Sequence, residues 1–135
     1  MDCAFVVYSP EAKKQCLGVC ETTLRTFGLT SEAVAREMVQ GALKNSERAN
    51  MAIANTGVAD DNDKAVPSGT QCFAWAFRFP GFNSPVILFS ETRRFSGDRA
   101  QIREASAFYA LQAVPRYFTR MQSHELHKQG ISSTG

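Results

Sequence analysis

The chain has 135 residues, a mass of 14.9 kDa and a formal net charge of +2, with 44% hydrophobic and 21% charged residues. This length corresponds to one domain, and the composition excludes a disordered chain. The balance of 15 basic and 13 acidic residues excludes a protein whose affinity rests on neutralising many nucleic-acid phosphates, but it leaves room for a ligand with a single phosphate group.

The apolar runs are too short for a membrane protein. Runs such as Ala4–Val7 and Val86–Phe89 have only four residues, whereas a membrane-spanning helix needs about 20 apolar residues. The first ten residues carry Asp2 and no basic stretch, so no secretory signal is expected. We therefore expect a cytoplasmic protein, no membrane partner, and four cysteines that are reduced thiols buried as small apolar side chains.

The first third of the chain is predicted to contain one strand and three helices. A hydroxyl, a proline and an acid in succession (Ser9–Glu11) are typical of a helix N-terminus, and Gly18 is typical of a helix end. A cap at Thr30 or Ser31 begins the third helix. The predicted elements are, in order, a buried strand at Ala4–Tyr8, a helix from Pro10 to Gly18, a helix at Glu21–Phe27 and a helix from about Glu32 to Asn45.

The remainder predicts three strands and one long helix. In the second of these strands aromatic side chains alternate with alanines, so one face is bulky and the other admits a helix at short distance. The aromatic face is Phe73, Trp75, Phe77 and Phe79, and the small face is Ala74 and Ala76. The predicted elements are a central strand at Ala49–Thr56, strands at Gln71–Phe79 and Pro85–Arg93, a helix from Arg99 to about Gln122 kinked at Pro115, and a polar tail over 123–135 that frays.

This order of elements predicts a single α/β domain over residues 1–122, built as three α/β/α layers around a mixed, partly parallel sheet. The reason is that the long helical stretch between the first two strands is a crossover suited to parallel pairing. The last helix also carries two apolar stripes on nearly opposite sides, and one sheet cannot cover both. The second stripe, Leu111, Val114 and Phe118, needs a second subunit or a segment absent from this sequence, so a homodimer is the expected assembly.

The sequence predicts neither a metal site nor a cofactor. Cys16 and Cys20 have no second cysteine pair to complete a zinc site. Asp61–Asp63 resembles the start of a calcium loop but lacks its glycine and its closing acid. The two histidines of His124–His127 are one residue too close for a zinc-protease helix.

Several short segments, taken together, carry a family resemblance. They are Tyr8–Lys13 with Leu17–Val19, Gly28–Ala35, Thr56–Gly57 followed by Pro67–Thr70, and Arg93–Arg99. In this order and spacing, over about Phe5 to Phe118, the chain resembles the CinA C-terminal domain family, the nicotinamide-nucleotide amidases. No single motif is specific, but the ordered set is.

The resemblance implies hydrolysis of the carboxamide of nicotinamide mononucleotide to nicotinate mononucleotide and ammonia. It implies base or activating roles for Tyr8 and Lys13, and substrate contacts for Thr56, Gly57 and Arg99. A lysine can deprotonate a serine only if burial or a nearby cation lowers its pKa far below about 10.4. The residues alone also allow plainer roles. Lys13 would then be solvated, with Tyr8 at the rim of a pocket. Thr56 and Gly57 would form a turn at a strand end, and Asp98 would cap a helix beside a solvated Arg99.

The sequence departs from the family pattern in two places. The family's nucleophilic serine lies in a Ser-Cys-Thr-Gly-Gly segment that comes with a first strand and helices, none of which this sequence contains. The family's glycine-rich loop is replaced by Val58–Asp63, and the carboxylates of Asp60–Asp63 repel an anion that glycine amides would bind. We therefore expect an amidohydrolase-type domain that is inactive alone, the alternative being a non-catalytic nucleotide-binding or protein-interaction module derived from that family.

Overall fold

The computed structural model describes residues 1–59, 65–79, 85–128 and 130. Helices cover both faces of one small sheet, so the predicted α/β class is confirmed. The elements are, in chain order, α1 (Pro10–Leu17), α2 (Glu21–Phe27), α3 (Glu32–Asn45), β1 (Met51–Gly57), β2 (Thr70–Phe77), β3 (Ile87–Arg94), α4 (Arg99–Gln112) and α5 (Val114–Lys128). In the described part of the chain no helix is long and apolar enough to cross a membrane.

The first three helices begin and end where local chemistry predicts. The Ser9 hydroxyl accepts a hydrogen bond from the Ala12 backbone at the start of α1. Gly18 ends α1 with φ of 69°, a left-handed conformation that glycine adopts without strain. Of the two candidate caps for α3 the structure selects Ser31, whose hydroxyl accepts from the Val34 N–H.

The sheet is antiparallel, with the strand order β1-β2-β3. Two predictions are therefore wrong: the described residues form no parallel pair, and β1 is an edge strand instead of a central one. Residues 4–8, predicted as a buried strand, belong to no strand, and Val6 is 92% exposed. A strand needs a hydrogen-bonded neighbour, and none of the three described strands pairs with this segment. Residues of the segment and of β1 instead line one cleft.

Strand β2 lies between two hydrophobic clusters, as its alternation predicts. Its small residues Cys72, Ala74 and Ala76 pack with residues of α1 and α3. Its aromatic residues pack with α4 and α5, and Trp75 is completely buried there. The burial of Cys72 matches the expectation for the thiols, but Cys3, Cys16 and Cys20 are exposed free cysteines because they lie in the N-terminal segment and at helix ends.

The predicted final helix is two helices that meet at Ala113. Pro115 lies in the first turn of α5, where its missing N–H removes no helical hydrogen bond. Helix α5 continues to Lys128, so helix replaces the first part of the tail predicted over 123–135.

The break at Ala113 also changes what covers the second apolar stripe. Val114 packs in the aromatic cluster, and the Phe118 ring lies 6.1 Å from that of Phe77. Leu111 is still 67% exposed. The sheet therefore covers only part of the second stripe, since Phe118 is also 44% exposed.

Candidate functional site

A cleft of about 580 Å³ opens between the N-terminal segment, β1 and the beginning of α4. Its volume lies in the range of about 300–1,000 Å³ that is typical of small-molecule sites. All five predicted site residues, Tyr8, Lys13, Thr56, Gly57 and Arg99, line this cleft. The fold therefore brings together residues from three distant parts of the sequence, although their roles stay predictions.

Lys13 is buried at the base of the N-terminal segment. The Ser9 cap starts α1 so that Lys13 falls in its first turn, and the side chain is only 6% exposed. Its ammonium donates a hydrogen bond of 2.6 Å to the Val7 carbonyl. Burial lowers the pKa of Lys13 below its ordinary value because leaving water disfavours the charged form. A solvated Lys13, the plainer alternative, is wrong.

Tyr8 and Arg99 connect the two sides of the cleft. Arg99 donates from Nη2 to the Tyr8 hydroxyl at 3.3 Å, although the residues are 91 positions apart. Helix α4 begins at Arg99 behind a capping box, in which Asp98 accepts from the Gln101 N–H and the Gln101 side chain accepts from the Asp98 N–H. Asp98 thus caps the helix while Arg99 reaches the N-terminal segment.

Thr56 and Gly57 end β1 at the cleft. The Thr56 hydroxyl donates to the Leu29 carbonyl at 2.9 Å, so its oxygen can still accept a hydrogen bond. Gly57 lies opposite Gln71, and a Cβ at Gly57 would come within 2.2 Å of the Gln71 side-chain amide. The absence of a side chain at Gly57 therefore lets Gln71 cross beneath the strand end and donate to the Val58 carbonyl.

Five further polar residues line the cleft without having been predicted as site residues: Thr30, Asn55, Gln71, Arg103 and Ser106. Arg103 and Ser106 follow Arg99 by four and seven positions, which places all three on one side of α4. That spacing is the signal from which the last two could have been found. Gln71 lies at the cleft because β2 pairs there with the end of β1, and no local sequence pattern indicates that pairing.

The described lining of the cleft is positively charged. Lys13, Arg99 and Arg103 contribute cations, and none of the described lining residues is an aspartate or a glutamate. Such a lining attracts an anionic ligand. The predicted acidic loop Asp60–Asp63 lies outside the described residues.

The described lining offers neither a cysteine nor an accessible serine as a nucleophile. It contains no cysteine, and Cys72 is buried elsewhere, where burial raises the pKa of its thiol. Ser106 is the one serine among the described lining residues; it is 2% exposed and donates to the Arg103 carbonyl at 3.1 Å. Within the described ranges, no group of three or more acidic, histidine or cysteine side chains could hold a metal ion.

Comparisons with known proteins place this arrangement in a family. The profile of the CinA C-terminal domain matches residues 1–118. A putative competence-damage inducible protein of Symbiobacterium thermophilum is 44% identical over 117 residues, 84% of this chain and 27% of that protein. The nicotinamide-nucleotide amidohydrolase PncC of Escherichia coli K12 is 43% identical over 119 residues, 84% of this chain and 66% of PncC.

A solved structure agrees with these matches. The competence damage-inducible protein A of Klebsiella pneumoniae superposes with a TM-score of 0.73 at 31% identity, covering 84% of this chain and 66% of that one. The chain thus spans about two thirds of the shorter relatives and about a quarter of the longer ones. On the match over residues 1–118, the chain belongs to the CinA C-terminal domain family.

Proposed function

We propose that this chain supplies the substrate cleft and the activating residues of a nicotinamide-nucleotide amidohydrolase, and that the 135 residues alone do not hydrolyse the substrate. The observation that carries the proposal is the buried, pKa-lowered Lys13 in the same cleft as the Tyr8–Arg99 pair. The names of relatives such as PncC support the choice of nicotinamide mononucleotide.

The proposed reaction adds water across the carboxamide, so that the C–N bond breaks and ammonia leaves. A neutral amine at Lys13 can accept the proton of an attacking hydroxyl, and burial increases the fraction of Lys13 that is neutral near pH 7. Arg99 carries the positive charge that attracts the substrate's phosphate. Thr56 can accept one hydrogen bond from the substrate at the end of β1.

The described cleft lacks an accessible serine to supply the attacking hydroxyl. Ser106 is buried in α4 and its hydroxyl is bonded within the helix. The segment that carries the serine in the family pattern does not occur in this sequence. We therefore propose that the chain binds nicotinamide mononucleotide without cleaving it.

An ammonia assay tests this proposal. Purified chain mixed with nicotinamide mononucleotide is expected to give a heat of binding but no more ammonia than buffer alone. Lys13→Met and Ser106→Ala are expected to release the same background amount. Ammonia release by the wild type that disappears in Lys13→Met would contradict the proposal, and its loss in Ser106→Ala as well would identify Ser106 as the nucleophile.

A second candidate, a protein-interaction module that forms a homodimer, is favoured by one surface of α4. Phe108 and Leu111 are 65% and 67% exposed and lie three residues apart on one helix face. Sedimentation of the chain at micromolar concentration is expected to show a dimer that Leu111→Glu converts to a monomer. A wild-type monomer under these conditions would contradict this candidate.

A further inference from the structure

We infer that Asn55 and Gln71 form a subsite for a primary carboxamide at the end of β1, in which Gln71 makes the cleft favour an amide over the corresponding carboxylate. This assignment rests on the proposed function, because it gives part of the same cleft to the group that is hydrolysed. Neither residue belongs to the segments that carry the family resemblance, although each directly adjoins one of them.

The pairing of β1 with β2 places both side chains on one face of the sheet. Asn55 lies opposite Phe73, and Gln71 lies opposite Gly57. Side chains alternate between the two faces along a strand and cross-strand partners share a face, so all four positions lie on the same side of the sheet. Asn55 and Gln71 are therefore diagonal neighbours about 7–8 Å apart, and both line the cleft.

Gln71 presents a side-chain oxygen that is available to a ligand. The residue is only 5% exposed, and its Nε2 donates to the Val58 carbonyl at 3.3 Å. Its Oε1 accepts a hydrogen bond from no described residue. Since no fully buried side-chain oxygen or nitrogen of the described residues lacks a partner, Oε1 is accessible, and Gln71 lines the cleft. A ligand N–H can therefore reach it from the cleft.

Gly57 and Val58 hold the Gln71 amide in place. A Cβ at position 57 would collide with this amide, which occupies the space that a side chain there would fill. The bond to the Val58 carbonyl fixes the nitrogen end, so little side-chain entropy remains to be lost when a ligand binds. Asn55, two residues before Gly57, is exposed, and its side chain bonds to no described residue.

A primary carboxamide matches these two side chains. Its NH2 group supplies two donors, and its carbonyl oxygen is an acceptor. Gln71 Oε1 can accept one of the ligand N–H groups, while the Asn55 amide can donate to the ligand carbonyl. A carboxylate has acceptors only, so it can take a bond from Asn55 but sets an oxygen against that of Gln71. The pair therefore distinguishes an amide from the acid that its hydrolysis produces.

NMR of isotope-labelled chain tests the inference through the side-chain NH2 signals of Asn55 and Gln71. The probes are two amides, nicotinamide and nicotinamide mononucleotide, and the two matching acids, nicotinate and nicotinate mononucleotide. We expect the amides to shift both signals. In Gln71→Met, which removes the acceptor, the ratio of amide to acid affinity is expected to fall about 10-fold. Comparing this ratio between wild type and variant cancels the attraction of the cationic lining for the acids.

Two asparagine variants provide the controls. Gln71→Met also removes the bond to Val58, whereas Asn55→Ala leaves the interior unchanged because Asn55 is exposed. Since Asn55 donates to either ligand, Asn55→Ala is expected to weaken amides and acids alike by several-fold. Asn50→Ala, at an exposed asparagine outside the cleft, is the matched control and is expected to change neither. Circular dichroism checks that each variant folds.

The outcomes separate this inference from the proposed function. A fall in the amide-to-acid ratio in Gln71→Met, with equal wild-type affinity for nicotinamide and its mononucleotide, would support the subsite and contradict the proposed substrate. An unchanged ratio in folded Gln71→Met would overturn the inference while the proposed function stands. Amide binding that leaves both NH2 signals unmoved would also overturn it, as would equal losses in Asn55→Ala and Asn50→Ala or failure of both amides to bind at millimolar concentration.

Discussion

Replacing Trp75 with alanine is expected to lower the free energy of unfolding by about 3–5 kcal/mol. Trp75 is completely buried in the middle of β2, and its ring lies 4.6 Å from that of Tyr117 and 5.7 Å from that of Phe73. Removing it leaves a cavity between the sheet and both C-terminal helices. Urea unfolding followed by circular dichroism measures the change without depending on tryptophan fluorescence.

Trp75→Phe is the control that separates packing from hydrogen bonding. The indole Nε1 donates to the Ala110 carbonyl at 2.9 Å, and phenylalanine keeps most of the ring but not this donor. A loss of about 1–3 kcal/mol is expected, the cost of an unpaired buried acceptor. If Trp75→Ala destabilised the protein no more than Trp75→Phe did, α4 and α5 would not be packed on this face of the sheet as described.

In the wild type the free energy of unfolding is expected to rise with pH in the alkaline range, and replacing Lys13 with methionine is expected to remove this rise. Burial lowers the pKa of Lys13 from its ordinary value of 10.5. Between the folded pKa and 10.5 the unfolded chain holds a proton that the folded chain has released, so the free energy of unfolding rises with pH in this window. A pKa lowered by one contributes about 1.4 kcal/mol to the rise. Chemical denaturation at a series of pH values up to 10.5 measures it.

The neighbouring Lys14 provides a control, because its pKa is shifted in the opposite direction. A hydrogen bond from Lys14 to Glu21 raises the pKa of this exposed ammonium. Its contribution to stability is present below the ordinary pKa and is lost as pH rises through the raised value. If Lys14→Met and Lys13→Met changed the pH dependence in the same direction, Lys13 would not be the buried, pKa-lowered amine that the proposed mechanism needs.

The parts of the fold that sequence could predict are those governed by local chemistry. The Ser9 cap, the glycine that ends α1 and the alternation in β2 each depend on neighbours within a few positions, and each is found in the structure. The strand predicted at residues 4–8 failed for the opposite reason. An apolar run is compatible with a strand, but only a partner along its edge makes it one, and none of the described strands pairs with this run.

Long-range polar partners were likewise beyond local patterns. Arg78 donates to the carbonyls of Leu43, Ser46 and Ala49 and so joins the end of α3 to the sheet. Glu91 accepts from the hydroxyls of Tyr109 and Tyr117 and holds both C-terminal helices to β3. Nothing in the sequence near these residues indicates such partners, because each bond joins elements that meet only after folding.

The candidate site shows the same contrast between residues that sequence motifs indicate and residues that motifs do not. Family motifs identified Tyr8, Lys13, Thr56, Gly57 and Arg99, and all five line one cleft. Arg103 was missed because it lies outside the family motifs, and only its spacing of four residues from Arg99 along α4 indicates that it lines the cleft.

The most direct test of the central claim is a titration of nicotinamide mononucleotide into isotope-labelled chain, followed by NMR. We expect saturable shifts of the amide signals of the five cleft residues, Tyr8, Lys13, Thr56, Gly57 and Arg99, while the nucleotide's own signals show no conversion to nicotinate mononucleotide. Shifts confined to another face, such as the shallow groove of α5 between Thr119 and His127, would contradict it. So would the absence of any shift at millimolar nucleotide.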